Sequence, residues 1–265
     1  MVITQGYAPV NGLKMYYEVH GKGKPLILLH GGAGTTQMFV PMFDQLSRGR
    51  QVIAAELQAH GHTADIDRPL RYELLADDIA ALIKYLKLGQ VDLMGYSLGG
   101  GVALQTAIRH PELVRKLVLV STTCKRTGWY PEVLAGMGQG AENAEAMKQT
   151  PMYQAYSRVA PRIQDWPVLM TKLAEMLGRD YDWSAEVAAI KIPVMLVVGD
   201  ADSVRTAHAV EFFELLGGGK RDAGWDGSGM TLNRLAILPG TTHFTIFSSP
   251  AMVSVVRSFL DEAPR

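Results

Sequence analysis

Residues 91–101 read VDLMGYSLGGG, and this stretch decides the fold. An apolar, strand-like run ends in Gly-x-Ser-x-Gly, and a helix-like run follows at once. Gly95 and Gly99 leave the space that a sharp turn from strand to helix requires around Ser97. Such a turn exposes the serine hydroxyl at the carboxyl edge of a sheet, beside a helix N-terminus that favours negative charge. The bare motif also occurs in ordinary turns, but its strand–helix context predicts a nucleophilic serine.

Short apolar runs alternate with helix-like segments over most of the chain. The predicted strands are 14–19, 26–29, 52–56, 91–94, 117–120, 194–198 and 235–238, with an extra edge strand near 3–8. The predicted helices are 37–47, 72–85, 98–109, 207–216 and 252–260. Nearly continuous apolar strands are typical of a parallel sheet that is covered on both faces. The alternation predicts an α/β fold with a mostly parallel, doubly wound sheet of about eight strands.

The alternation breaks once, between residue 123 and about residue 185. This stretch is rich in Ala, Met, Leu and aromatic residues, and four prolines punctuate it: Pro131, Pro151, Pro161 and Pro167. We expect three or four short helices, because proline starts or breaks helices. The predicted organisation is a core of residues 1–123 and 186–265 with a helical cap at 124–185. Residues 217–229 contain six glycines and predict a long mobile surface loop.

Composition excludes several classes of function. The 265 residues carry 26 Lys+Arg and 26 Asp+Glu, which gives no support for nucleic acid, anionic membranes or polyanionic substrates. Cys124 is the only cysteine, so an intramolecular disulfide and a Cys-rich zinc site are excluded. The N-terminus does not read as a signal peptide, and no apolar run is long enough to span a bilayer. We expect a cytoplasmic protein without a metal or organic cofactor.

His243 is the best placed general base. It follows the last predicted strand, so it lies at the sheet edge where Ser97 emerges, and a serine nucleophile needs an adjacent base. His60 and His62 are spaced like a metal-binding pair, but no further cluster completes a site, which favours structural roles. The other histidines are expected to be structural: His20 and His110 facing solvent, His208 on the surface of a late helix, and His30 shaping its own turn.

A carboxylate must hold such a histidine in one tautomer. The loop after the strand 194–198 reads GDADSV and offers two candidates, Asp200 and Asp202. We prefer Asp202, which falls where the loop turns back toward the sheet edge, and leave Asp200 as the alternative. The loop after 117–120 reads STTC and contains no carboxylate.

Two backbone N–H groups are the candidates for an oxyanion hole, which acyl transfer requires. Leu98 follows the nucleophile, and Gly32 lies in a second glycine-rich turn, LLHGGAG at 28–34. A phosphate cradle is the other interpretation of that turn. It is not favoured, because Gly-x-Gly-x-x-Gly is out of register and no Walker lysine follows.

These motifs make the chain similar to the α/β-hydrolase superfamily, in particular to small microbial carboxylesterases, lactonases and C–C hydrolases with a helical cap. The matching segments are HGG at 30–32, GYSLG at 95–99, GDAD at 199–202 and GTTH at 240–243. Many relatives have Asp-x-x-Gly-x-Gly-x-Ser where this chain has ELQAHGHT at 56–63. A serine nucleophile argues against the haloalkane dehalogenase and epoxide hydrolase branches, which use a carboxylate.

The resemblance implies a serine hydrolase that cleaves an ester or a lactone of a small to mid-sized apolar substrate through an acyl-enzyme on Ser97. The expected partner is a small-molecule ester, and the oligomeric state is open. A C–C hydrolase of a vinylogous diketone and a cofactor-free perhydrolase or haloperoxidase are alternatives with the same residues. A ligand receptor with hydrolase architecture and little turnover is an alternative from a different class. We expect most methionines of the cap to fill its own core.

Overall fold

The computed structural model describes residues 2–262, apart from the side chains of residues 2, 3 and 141. One eight-stranded sheet contains all its strands, in the order β1-β2-β4-β3-β5-β6-β7-β8. The strands are β1 Val2–Val10, β2 Leu13–His20, β3 Lys24–Leu29, β4 Arg50–Ala55, β5 Val91–Tyr96, β6 Val114–Val120, β7 Val194–Ala201 and β8 Arg234–Thr242. β2 pairs antiparallel with β1 and β4, and the remaining pairs are parallel. The predicted mostly parallel sheet is confirmed.

Ten α-helices occur in the described chain. They are α1 Val40–Leu46, α2 Tyr72–Tyr85, α3 Leu98–Arg109, α4 Pro131–Met137, α5 Gly140–Asn143, α6 Pro151–Val159, α7 Trp166–Leu177, α8 Ser184–Ala189, α9 Thr206–Leu215 and α10 Pro250–Asp261. The predicted helix 37–47 is divided into a 3-10 turn, Thr36–Phe39, and α1. None of the helices in residues 2–262 combines the length and apolar character that a membrane span requires.

The order of the central strands determines where in the sheet a crevice for a functional site opens. After β3 the chain forms β4 on one side of β3, and it then returns to form β5 on the other side. The register pairs Leu29 at the end of β3 with Gly95 near the end of β5. The loops that leave β3 and β5 therefore diverge at the carboxyl edge, which opens a crevice in a sheet of this type.

Helices cover both faces of the sheet. On one face α2 and α3 pack closely on each other, and α2 buries Leu75, Ile79 and Leu82 in the larger core cluster. On the other face α1 and α10 enclose the second cluster, which includes Phe43 and Phe259. Burial on both faces explains why the central strands read as nearly continuous apolar runs.

The segment between β6 and β7 forms no strand and contains α4 to α8. Five helices rather than three or four are present, because the four-residue α5 and the six-residue α8 are separate elements. Gly140 begins α5 and packs so closely on α7 that a Cβ there would lie 2.4 Å from the carbonyl oxygen of Met170. Because α8 crosses residue 185, the domain boundaries at 124 and 185 stay a prediction.

The two ends of this inserted segment meet each other. Lys125 and Asp182 form an antiparallel bridge, and the N–H of Trp183 donates to the carbonyl of Cys124 at 2.9 Å. Farther out, the ammonium of Lys172 on α7 lies 2.6 Å from a carboxylate oxygen of Asp65 in the core. The insertion is thus closed at its base and anchored to the core a second time.

Two histidines that were expected to be exposed are buried, so those predictions are wrong. His20 is 4% exposed, lies 3.0 Å from Glu18 and stacks on Phe43. His208 is 1% exposed, and its Nε2 lies 3.3 Å from the N–H of Cys124. The sequence placed His208 on the surface of a late helix, but the loop after β6 packs over this side of α9.

Candidate active site

Ser97 occupies a strained turn between β5 and α3. Its φ is 53° and its ψ is −118°, a conformation that residues other than glycine rarely adopt. The N–H of Ser97 donates to the carbonyl of Val120 at 2.9 Å, and the carbonyl of Ser97 accepts from Gly100 and Gly101. Neighbouring backbone therefore holds a conformation that costs about 1–3 kcal/mol by itself.

The glycines around Ser97 are required by close approach of the backbone. A Cβ on Gly95 would lie 2.1 Å from the carbonyl oxygen of Gly99. A Cβ on Gly99 would lie 2.4 Å from the carbonyl oxygens of both Leu29 and His30. Because these atoms belong to the backbone, no side-chain rotation relieves the clash, and α3 meets the sheet this closely only with glycine.

His243 bridges Ser97 and Asp202. It follows β8, and its Nε2 lies 3.0 Å from Oγ of Ser97, while its Nδ1 lies 2.9 Å from Oδ1 of Asp202. The Tyr96 hydroxyl donates to the His243 carbonyl at 2.7 Å, and the Trp129 ring centroid lies 5.6 Å from that of His243. His243 is only 8% exposed, so contacts on several sides fix its ring.

The Asp202 carboxylate accepts three further hydrogen bonds. Oδ1 accepts from the N–H of Val204 at 3.2 Å, and Oδ2 accepts from the N–H of Gly199 at 3.0 Å and from the Ser121 hydroxyl at 2.5 Å. Burial raises the pKa of Asp202, but the hydrogen bonds and charge from His243, with those from Ser121 and Gly199, outweigh burial and hold the pKa below its ordinary value. Asp202 is therefore ionised at neutral pH.

Asp200, the alternative to Asp202, lies elsewhere. It is exposed, and its Oδ1 accepts from the N–H of Thr241 at 3.3 Å. This contact joins the end of β7 to β8. Of the two carboxylates in the loop, Asp202 is the one in contact with His243.

Ser121 was not among the residues expected from the sequence, where the loop after β6 was notable only for lacking a carboxylate. It is fully buried, has a φ of 50°, and donates from its hydroxyl to Asp202. A small hydroxyl residue at the first position after a strand, next to the strand that carries the acid, is the signal that could have found it.

The loop after β3 contains Gly32, and both ring nitrogens of His30 hold its conformation through contacts with backbone groups. His30 Nδ1 lies 2.8 Å from the carbonyl of Gly31, and its Nε2 accepts from the N–H of Leu57 at 3.1 Å. Burial lowers the pKa of His30 to about 3, so the ring is neutral and acts as one donor and one acceptor. His30 thus shapes its own turn, as expected.

Leu98 lies across from Gly32. As the first residue of α3, Leu98 has an N–H without an intrahelical acceptor. A Cβ on Gly32 would lie 3.9 Å from Cδ1 of Leu98. The two residues border the same cavity as Ser97, which is where donors to an oxyanion have to be.

Glu56 is the first residue of the unusual run 56–63, and its carboxylate accepts hydrogen bonds from the segment that follows the β3 loop and from His62. Its Oε1 accepts from the N–H of Thr36 at 3.1 Å, and its Oε2 accepts from the N–H of His62 at 2.6 Å. Burial raises the pKa of Glu56, but hydrogen bonds from His62 and Thr36 outweigh burial and leave it lowered. In residues 2–262, His60 and His62 belong to no group of three or more potential metal ligands.

A cavity of about 800 Å³ opens above Ser97, between the sheet edge and the insertion. Of the five methionines of the insertion, Met176 is buried in the core. The other four line the cavity: Met137, Met147, Met152 and Met170. They therefore form its wall as well as packing within the insertion. A volume of this size is typical of sites for small organic molecules.

Comparison with known proteins gives a consistent result. A family model described as alpha/beta hydrolase fold matches residues 24–253. AB hydrolase superfamily protein YisY of Bacillus subtilis is 28% identical over 213 residues, 72% of this chain and 78% of that protein. The enol-lactonase of Burkholderia xenovorans aligns with a TM-score of 0.76 and 21% identity over 97% of this chain and 100% of that chain. A meta-cleavage product hydrolase of Pseudomonas fluorescens aligns with a TM-score of 0.74 and 18% identity over 99% of both chains.

Proposed function

Because the chain belongs to the α/β-hydrolase fold family, we propose that it is a serine hydrolase that cleaves a carboxylic ester or a lactone through an acyl-enzyme on Ser97. The observation that carries this proposal is the hydrogen-bonded series from Ser97 through His243 to Asp202, with distances of 3.0 and 2.9 Å. Nucleophile, base and orienting acid are within the reach that proton transfer requires.

In the first step, Ser97 Oγ attacks the ester carbonyl carbon while His243 Nε2 removes the hydroxyl proton. Asp202 accepts the hydrogen bond from Nδ1 and stabilises the imidazolium that forms. The carbonyl oxygen becomes an oxyanion, which the N–H groups of Gly32 and Leu98 bind. The alcohol then leaves with the proton from His243, and the acyl group remains on Ser97.

In the second step, His243 removes a proton from water, which attacks the acyl-enzyme. The same N–H groups bind the second oxyanion, and Ser97 leaves with the proton from His243. This mechanism uses only side chains, backbone and water. The apolar wall of the cavity supports a small to mid-sized apolar substrate, and the flexible thioethers that line it can repack around different groups.

The experiment that tests the proposal is hydrolysis of p-nitrophenyl esters of increasing acyl length by the wild-type and Ser97→Ala proteins. Removing the nucleophile should lower kcat/KM by about a thousandfold or more. The length profile of the wild type then measures the usable depth of the cavity. Equal turnover by the two proteins would exclude Ser97 as the nucleophile.

A C–C hydrolase is the second candidate, and the likeness to the meta-cleavage product hydrolase favours it over the others. The same serine and histidine would then act on a vinylogous diketone, with water completing cleavage. Failure to hydrolyse activated esters, together with Ser97-dependent cleavage of such a diketone, would replace the first proposal by this one.

A further inference from the structure

The insertion supplies an apolar wall to the cavity. Its lining residues with apolar side chains include Met137, Met147, Met152, Met170, Leu173 and Leu177. Leu173 lies close to the proposed oxyanion site, since a Cβ on Gly32 would lie 3.8 Å from its Cδ2. Met170 precedes Leu173 by one turn of α7, so both side chains lie on the side of the helix that faces the cavity.

The polar groups in the cavity lining are neutral or already engaged. Asn143 donates to Gln139 at 3.3 Å, and Thr35 accepts from the N–H of Gln37 at 3.3 Å. Among the described residues that border the cavity, none is Lys, Arg, Asp or Glu. His243, which does become charged in the reaction, is engaged by Asp202 and Ser97.

Several cations of the insertion are paired away from the cavity. Lys172 lies beside Leu173 in the chain, but its ammonium donates to the carbonyls of Ile66 and Arg68 at 2.9 Å each, besides its contact with Asp65. Two more cations pair within three residues of their own positions: Lys148 with Glu145 and Arg162 with Asp165. These charges hold the insertion together and to the core.

We infer that the acyl chain of the substrate runs along the methionine wall and is uncharged to its end, so that the enzyme rejects the same chain when it ends in a carboxylate. This inference rests on the proposed ester hydrolysis at Ser97. A carboxylate that packs against the methionine wall loses part of its hydration and gains no cationic partner, which is unfavourable. It also lies in the same cavity as the developing oxyanion, and the two negative charges repel each other.

The test compares two substrates that differ at one position. p-Nitrophenyl hexanoate and the mono-p-nitrophenyl ester of adipic acid have the same leaving group and the same number of methylenes, but the second ends in a carboxylate instead of a methyl group. At neutral pH, kcat/KM for the wild-type enzyme should be lower for the adipate ester by about a hundredfold or more. Equal values for the two esters would overturn the inference.

A substitution in the wall tests where the chain lies. Met170→Arg places a guanidinium on the wall, and the kcat/KM ratio of the adipate ester to the hexanoate ester should rise by about tenfold or more because arginine pairs with carboxylates. Met170→Leu, which keeps the wall apolar, should retain the wild-type ratio. An unchanged ratio in a folded, active Met170→Arg protein would overturn the placement of the chain along this wall.

Binding to the Ser97→Ala protein separates this inference from the proposed function. If neither ester is hydrolysed by the wild type, the proposed ester hydrolysis fails. Calorimetry with methyl hexanoate and monomethyl adipate still reports the preference of the cavity, because it needs no turnover. Tighter binding of the neutral ester supports the inference, and equal binding overturns it.

Discussion

At the scale of single residues, two aspartates in one loop have different surroundings. Asp202 is buried and accepts from His243, Val204, Gly199 and Ser121. Asp200, two positions earlier, is exposed and accepts from the N–H of Thr241. Replacing each aspartate by asparagine makes the same chemical change two positions apart in one loop. The two variants therefore compare a buried carboxylate that contacts His243 with an exposed one that does not.

Asp202→Asn should lower kcat by on the order of a thousandfold or more, because an amide at this position no longer stabilises the imidazolium or fixes its tautomer. Asp200→Asn should change kcat by less than about threefold, since its backbone contact survives in the amide. Hydrolysis of p-nitrophenyl hexanoate measures both. The opposite order of effects would assign the orienting role to Asp200.

Ser121→Ala removes the side-chain donor to Oδ2 of Asp202 and should lower kcat/KM by about tenfold, because a buried carboxylate loses one hydrogen bond. Ser121→Gly is the matched control: it also lacks the hydroxyl but adopts the φ of 50° without strain. Similar losses in both variants would assign the effect to the hydroxyl. Wild-type kcat/KM in Ser121→Ala would contradict the proposed role of this contact.

At the scale of secondary-structure elements, the contact of α3 with the sheet depends on glycine. Gly99→Ala should destabilise the fold by about 2–3 kcal/mol, because its Cβ meets the carbonyls of β3 and of the loop that follows. Gly138→Ala is the control, since a Cβ there meets nothing within 4 Å, and it should change the unfolding free energy by less than about 0.5 kcal/mol. Urea unfolding measures both, and equal stabilities would show that α3 can move away at little cost.

The elements differ in how far the sequence predicts them. α2 and α3 have the predicted bounds, because amphipathic periodicity marks the first and the Gly-x-Ser-x-Gly turn starts the second. Most strands extend beyond the predicted apolar runs, although β4 ends at Ala55, one residue before its predicted end. β8, for example, continues from 238 to Thr242 through Pro-Gly-Thr-Thr. The ends of a strand depend on where its pairing with the neighbouring strand stops. The sequence of one segment does not show which strand it will pair with.

The candidate site shows the same limit. The sequence predicted residues that follow strands, and Ser97, His243 and Asp202 do lie within hydrogen-bond distance of one another. It did not predict Ser121 or the edge-to-face contact of Trp129 with His243, because those contacts join loops that are distant along the chain. The buried surroundings of His208 were missed for the same reason.

At the scale of the whole molecule, two buried histidines link stability to pH. Burial lowers the pKa of His30 to about 3 and that of His60 to about 4. Both rings are therefore neutral in the folded protein at pH 5, whereas in the unfolded chain each binds a proton below its ordinary pKa of about 6.5. The unfolded state then holds more protons, so stability falls as the pH falls from about 6.5 toward 4.

From pH 7 to pH 5 these two histidines should lower the unfolding free energy by about 4 kcal/mol in total. His60→Phe removes one of the two proton sites and should reduce that loss by about half, even if it changes stability at pH 7. Urea unfolding at the two pH values measures the difference. If the pH dependence were identical in wild type and variant, the pKa of His60 would not be lowered in the folded protein, and His60 would be protonated there at pH 5.

The closed base of the insertion has a consequence for how such proteins diversify. Since Lys125 already bridges Asp182 and Trp183 already bonds to Cys124, the chain leaves the core and returns to it at one point. A segment with joined ends can be lengthened, shortened or exchanged for another at a small entropic penalty, because loop closure depends only weakly on loop length. Selection or a laboratory chimera can therefore exchange the inserted segment as a unit, while the sheet and the hydrogen-bonded residues Ser97, His243 and Asp202 are inherited unchanged.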